Sequence, residues 1–526
     1  MLISRKARVI SWILLICCFI GASTFLVLNV NRHLNSDMSS ELVFAEHLLR
    51  EGKFLSRNWY YSTELSVVGT HLVFAPLILL FSDWYFVRIV GSIVLYLIML
   101  VSAYYVCRQA RMQAAFPFVG ILMMLPLSQP YFDNILRGVH YIPYICNSFF
   151  LLGMALHFMH TPSKKMRITL VVLGALLSFL VGMEGMRLVL TFALPAACVL
   201  IALCLMENQK HQSVNWTSEP MRFVTIMGVF ILCILGGCLL NIAVLSKIYE
   251  YSTFSNLSFA DVQFPLQVVN DMLKFWGYRT GEVFSVVLLH NVAAAALVVA
   301  VVVAAVRCCI KEEVPVEQRV LGLLYVSGIT IYLMVQACST APNYETYHLP
   351  ISVFGFLTLG TLLCIRVEWK KFRTAVLWVL VVIVIGSGGL NYIANSSYDR
   401  NEDLRDLTEY LVDDEYDAGY AAFWDGNILK ELSGGRFEMY VFSPAEDAGI
   451  DDIDKWMQEK SHATNPPEGR VFILVHADRL DFYGFRDGLS PSDIVYEVGE
   501  YQVYGYEDYE SMKWAMEIAR EEYYGE

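Results

Sequence analysis

The sequence predicts a polytopic α-helical membrane protein carrying a C-terminal extracytoplasmic α/β domain. Three observations carry this. The 526 residues are 56% hydrophobic and only 17% charged, against roughly one-quarter charged in soluble domains. Apolar stretches of spanning length recur along the first three-quarters of the chain. Charge then divides sharply: the last 133 residues hold 32 Asp and Glu against 11 Lys and Arg, whereas residues 1–393 hold 27 basic against 19 acidic.

Eleven apolar stretches approach or exceed the length that crosses about 30 Å of hydrocarbon as helix: Val9–Val30, Tyr85–Cys107, Gln113–Ser128, Tyr141–His160, Ile168–Met183, Leu188–Met206, Phe223–Leu245, Phe284–Val306, Val320–Cys338, Leu349–Ile365 and Thr374–Ile393. The first is too long for the apolar core of a signal peptide and lacks a small-x-small exit, so it reads as an uncleaved helix. Basic residues gather in every second gap, at Arg5-Lys6, Arg108 with Arg111, Lys164-Lys165, Lys210 with Arg222, Arg307 with Lys311, and Lys370-Lys371. Those gaps are expected to be cytoplasmic, which places the N-terminus inside and everything after Ile393 outside. Val67–Phe81 is apolar but short, and counting it as a span would invert every later loop; it reads as re-entrant or interfacial.

The expected domains are therefore 1–393, membrane-embedded with a first outer loop over 31–84, and an acidic 394–526. Acidic surface argues against nucleic acid or anionic headgroups as partners of that region. All twelve cysteines lie at or before Cys364, so no disulfide framework braces it. Short aromatic and β-branched runs predict strands at Gly419–Trp424, Phe437–Phe442, Arg470–Val475, Ile494–Val498 and Gln502–Tyr506, with helices at Asp403–Leu411, Asn427–Leu432, Asp451–Lys460 and Tyr509–Tyr523. "SGG" follows a helix, not a strand, which excludes a phosphate loop there. The absence of an internal repeat counts against a transporter built from inverted repeats.

Directly after the first span comes "NSDMSSELVFAEHLLREGKFLSRNWYYSTEL" (Asn35–Leu65). Leu42, Val43, Ala45, Leu48 and Leu49 recur at helical spacing among charges, predicting an amphipathic helix along the outer surface, followed by an interfacial aromatic cluster. Asp37 reads as the N-cap of this helix. A cap and a catalytic base are not exclusive, and Glu41, four residues on, shares its face.

One long first helix, an outer loop opening on an acidic residue, about eleven spans and an extracytoplasmic α/β domain resemble the glycosyltransferase C superfamily, which includes the protein O-mannosyltransferases and the lipid A aminoarabinose transferase. Asp37 stands in the place of that family's acidic residue, and "PNYETYHLP" is similar to its "Tyr/Leu-Leu-Pro" start of a late span. Here Met38 follows Asp37, where the mannosyltransferase-type loop has adjacent acidic residues, and Tyr347-His348 stand where relatives often have arginine.

The resemblance implies transfer of a sugar from a polyprenyl-phosphate-linked donor to an envelope glycan or lipid acceptor, on the outer face of a bacterial plasma membrane. It implies Asp37, with Glu41 beside it, as the base that takes the acceptor proton. Cations must then stabilise the phosphate charge. Arg137, Arg187, Arg279 and His348 lie near the outer ends of spans, and a guanidinium binds two phosphate oxygens at once. Glu184 accompanies Arg187 at one such boundary, and either pairs with it or joins the site. Asp133 and His140 lie in the next outer loop, as pocket residues or ordinary loop polar groups, with Tyr347 in the late motif. His290, inside a span, reads as a hydrogen-bonded core histidine. The loop Ser246–Val283 covers the donor or lies on the helical bundle. No His/Cys/Asp set has metal spacing, and a divalent metal cofactor is left open. The rival reading is a lipid or glycan transporter or flippase, or a non-catalytic scaffold presenting the acidic domain.

Overall fold

The computed structural model describes residues 5–252, 266–281, 285–340, 346–364, 370–442, 453–477 and 493–524. Among them, nine helices are long and apolar enough to cross a membrane, the first Arg5–His33 and the last Ala375–Ser396. They take up nine of the eleven expected stretches, and the protein is a polytopic membrane protein. The other two stretches fold as shorter pieces. Within Gln113–Ser128 the helix runs only from Phe116 to Met123, because Pro126 disfavours helical backbone just before it. Leu349–Ser352 and Phe354–Gly360 are separate helical segments followed by a 3-10 turn.

Two compact units divide the chain. The first comprises Met1–Leu28, Ile93–Leu245 and Phe254–Ser397, a helical bundle held by close backbone approaches. A Cβ on Gly182 would lie 2.2 Å from the Ile234 carbonyl oxygen, and one on Gly237 2.2 Å from that of Phe179. Only glycine lets the helices Lys164–Gly182 and Glu219–Ala243 touch so closely, the usual device where lipid leaves no hydrophobic driving force between helices.

The second unit comprises Asn29–Ser92, Ser246–Thr253 and Tyr398–Glu526. The first outer loop, which the sequence groups with the membrane part, lies here. Its sheet has five strands in the spatial order Glu438–Val441, Ala418–Ala421, Val471–His476, Tyr501–Tyr506, Ile494–Val498. The first three are mutually parallel and the last two pairings antiparallel. Val471–Val475 is buried throughout, as a central strand covered on both faces must be, whereas the edge strand Ile494–Val498 alternates in exposure.

Three expectations are corrected in this unit. Asp451–Lys460 is not a helix over its described part: Ile453 bridges Phe442, Gln458–Glu459 is a strand, and a 3-10 turn begins at Lys460. The Gln458 side chain bonds both the N–H and the carbonyl of Val441, so strand contacts replace the helical ladder. Trp59–Tyr61 is a buried strand between Glu250–Tyr251 and Gln458–Glu459, not an interfacial cluster. The amphipathic helix forms over Ser36–Glu51, but Leu42, Val43, Ala45 and Leu48 are buried in protein, packed largely on the helix Phe423–Leu432. His71–Leu80, the described helix of the expected re-entrant segment, has ten residues, about 15 Å, too short to span.

Candidate functional site

In the second unit the helix Ser36–Glu51 begins one step before Asp37. Its N-cap is Asn35, whose Oδ1 accepts the Met38 N–H at 2.9 Å, and a left-handed Gly52 closes the far end. The expected cap role of Asp37 is thereby taken by its neighbour, since the extended backbone of residue 35 puts its side chain under the first free N–H groups. Asp37 is half-buried, and no hydrogen bond or ion pair joins its carboxylate to a described residue. Burial raises its pKa above the ordinary 3.8, because no cation offsets the loss of water. Glu41 does have a partner: it accepts the Thr70 hydroxyl.

Three ties fix the turn that carries Asp37. The Ser36 hydroxyl donates to the Phe423 carbonyl. Asn427 Nδ2 donates to Ser40 Oγ at 2.7 Å. Arg88 Nη2 donates to the Met38 carbonyl at 2.7 Å.

Further along the same helix lies a charge network. His47 Nδ1 is 3.1 Å from Glu459, Arg50 pairs with both Glu46 and Glu459, and Lys430 pairs with Glu438. Burial pushes the Glu459 pKa up, but His47 and Arg50 outweigh it and hold the carboxyl at about 2. For Glu438 burial is likewise outweighed, by Lys430 and His462, and the carboxyl is driven well below its ordinary range. Glu438, Glu459 and His462 place one ligand atom each within 4.8 Å of one another, a spacing that suits a metal ion. Each carboxylate, however, already carries a protein cation, Lys430 or Arg50, where a metal would bind. The donor set fits an ion-pair network better than a metal centre. Sequence spacing shows only Glu459 and His462, three apart; Glu438 joins them from the edge strand Glu438–Val441, whose Val441 backbone is bonded by the Gln458 side chain.

In the first unit the Arg187 guanidinium lies 4.7 Å from the ring centroid of Tyr144, 5.3 Å from that of Tyr141 and 5.9 Å from that of Tyr347. Aromatic faces help hold a cation in place. Glu184 is buried. His348 is buried against Phe275 and Tyr332; its Nδ1 shares a 3.0 Å hydrogen bond with Ser352, and its Nε2 has no partner among the described residues. The remaining expected residues contact one another or the bundle. Arg137 pairs with Asp133 at 3.1 Å and lies over Phe132. His140 Nε2 is 2.9 Å from Asn134 Oδ1, and Arg279 bonds Asn391 and Asn291. His290 shares a 2.7 Å hydrogen bond with Ser387, as a core histidine does. Of the covering loop, the helix Leu266–Phe275 is described and carries a buried Asp271 paired with Lys274 at 3.0 Å; residues 253–265 and 282–283 lie outside the described residues.

Sequence reasoning passed over Arg88 and Glu431, whose forked pair has both bonds at 2.7 Å and is buried. The signal was present in "WYFVRIV", a lone arginine one turn inside an apolar helix, which needs a partner.

No family model and no curated protein matches this sequence. Solved structures do. ArnT from Cupriavidus metallidurans, bound to undecaprenyl phosphate, superposes with a TM-score of 0.53 at 12% identity, over 93% of this chain and 97% of ArnT. This chain has the GT-C fold. The Archaeoglobus fulgidus oligosaccharyltransferase, solved with zinc and sulfate, is also similar, with a TM-score of 0.47 at 11% identity over 89% of this chain and 68% of that one. The same enzyme tethered to an acceptor peptide gives 0.47 over 88% and 69%. At 12% identity the likeness to ArnT bears on the fold alone; here that fold has nine long helices among the described residues and a sheet-bearing C-terminal region.

Proposed function

We propose that the protein is an integral membrane glycosyltransferase that moves a sugar from a polyprenyl-phosphate-linked donor to a glycan or lipid acceptor on the extracytoplasmic face, with its N-terminus cytoplasmic. The observation that carries this is Asp37: a half-buried carboxylate with no partner among the described residues, just past the first span of a GT-C fold. A structural carboxylate so placed would be capped or paired. One held unpaired, with its pKa raised, is suited to accept a proton.

In this reading the Asp37 carboxylate takes the proton of the acceptor hydroxyl as its oxygen attacks the anomeric carbon. The bond from that carbon to the phosphate oxygen breaks through an oxocarbenium-like state, and its electron pair leaves with the polyprenyl phosphate. Within the helical unit, Arg187, held over Tyr141, Tyr144 and Tyr347, is assigned to phosphate binding through its forked donors. His348 Nε2 and Glu184 are assigned to the binding of donor groups. Glu41, bonded to Thr70, holds the helix face beside the base. Arg137 with Asp133, and Arg279 with Asn391, are assigned to bracing the helical unit, to which His140 and Tyr347 also belong.

The test is transfer by membranes carrying the protein, across labelled polyprenyl-phosphate and diphosphate sugars, beside a proteoliposome flipping assay. Transfer from at least one donor is expected. Flipping of the donor without transfer would replace this reading with the transporter.

A further inference from the structure

We propose that Glu431, acting through Arg88, is a positioning residue for Asp37, so that the C-terminal region sets the geometry of the base. This rests on the assignment of Asp37 above.

Arg88 lies one turn inside a spanning helix and is fully buried. An arginine there is costly unless its charge is paired; only Nη1 has no hydrogen-bond partner among the described residues. Its Nε and Nη2 fork onto the two Glu431 oxygens, both at 2.7 Å, and Phe74 lies 4.8 Å beneath it. The same Nη2 donates to the carbonyl of Met38, the residue after Asp37. The carboxylate thus fixes the guanidinium, and the guanidinium fixes the peptide that follows the base.

Glu431 stands on the helix Phe423–Leu432, which also holds the turn from its other side. Phe423 accepts from Ser36, immediately before Asp37, and Asn427 donates to Ser40, three residues after it. The Ser40 hydroxyl in turn donates to the Ser36 carbonyl at 2.6 Å. Asp37 is bracketed at −1, +1 and +3 while its own carboxylate has no described partner. Such bracketing aims a side chain without spending its hydrogen-bonding capacity. It is what preorganisation of a base requires.

A buried ion pair is replaceable by apolar residues of similar volume with little loss of stability, and this separates positioning from folding. The double variant Arg88→Met/Glu431→Leu removes the tie to Met38 while filling the space. In the full-length protein in nanodiscs it is expected to melt near the wild type. The amides of residues 38–41 should exchange about 10-fold faster. Its kcat should fall about 10-fold or more with the donor KM within about 2-fold, since a misplaced base affects the chemical step. Arg88→Lys, which keeps the charge without the fork, should fall between.

Unchanged exchange at residues 38–41 overturns the proposal. So does an unchanged kcat in the double variant if Asp37→Asn has lost transfer. If Asp37→Asn transfers normally, the assignment of the base is what has failed. The exchange result then still reports whether Arg88 and Glu431 hold the turn.

Discussion

Asn35 Oδ1 accepts the Met38 N–H at 2.9 Å, and this one bond relieves Asp37 of the capping role that its position at the head of the helix invites. Asn35→Ala should therefore cost about 1 kcal/mol of stability, the usual loss for an N-cap. Asp37→Asn should leave the melting temperature unchanged or raise it near neutral pH, because it removes a desolvated charge with no described partner. Thermal unfolding of the two variants in one detergent checks both; a larger loss from Asp37→Asn than from Asn35→Ala would make Asp37 a structural residue.

Acid should weaken the second unit through Glu459. Its folded pKa, about 2, lies below the ordinary 4.5, so its ion pairs contribute stability that is fully present above about pH 4.5 and is lost as pH falls toward 2. Asp37 acts in the opposite sense, since a raised pKa makes its ionised form a cost above that pKa. Melting followed between pH 6 and 3 should decline steeply for the wild type and less steeply for Glu459→Gln. Parallel curves would remove Glu459 from the account of acid sensitivity.

Chelation should leave stability unchanged. Glu438 and Glu459 are satisfied by Lys430, Arg50 and His47, so a chelator has no structural ion to remove there, whereas Lys430→Met should destabilise by about 1–3 kcal/mol by removing the nearest cation from the half-buried Glu438. A chelator-induced fall in melting temperature that added zinc reverses, absent in Glu438→Gln, would convert the network into a metal site.

Arg187→Lys should raise the donor KM about 10-fold, as a point charge replaces a fork suited to phosphate. Tyr144→Phe should change it little, because the ring face that lies against the guanidinium is kept. Kinetics against donor concentration separate the two, and equal effects would point to the tyrosine hydroxyl instead.

How far the sequence carried the fold depended on which force shaped each element. Long apolar helices such as Val286–Ile310 were legible because hydrocarbon thickness imposes length and composition together. The strands at Val471–His476 and Ile494–Val498 followed from β-branched runs. What misled was partnership at long range. Leu42 and Leu48 have the pattern of a helix facing lipid, and periodicity alone does not distinguish that from a helix facing Phe423–Leu432, nearly 400 residues away. "NWYY" has an interfacial composition, yet Trp59 is buried by strands from two distant segments.

The candidate site was legible in the same uneven way. Asp37 stood out as a candidate because its place after the first span is a local feature. The claim of Asn35 to the cap turned on the backbone angles of residues 35–37, which the residue types leave open. Arg88 was visible as a lone charge in an apolar run, but Glu431, its partner at |i − j| = 343, was not.

The central claim, that Asp37 takes the acceptor's proton, is tested most directly by sugar transfer from a labelled polyprenyl-linked donor by membranes containing wild type or Asp37→Asn at matched levels of folded protein. The account predicts a loss of about 100-fold or more in kcat for the variant, with donor binding retained, the scale expected when a general base is removed. Transfer by Asp37→Asn at the wild-type rate would contradict it.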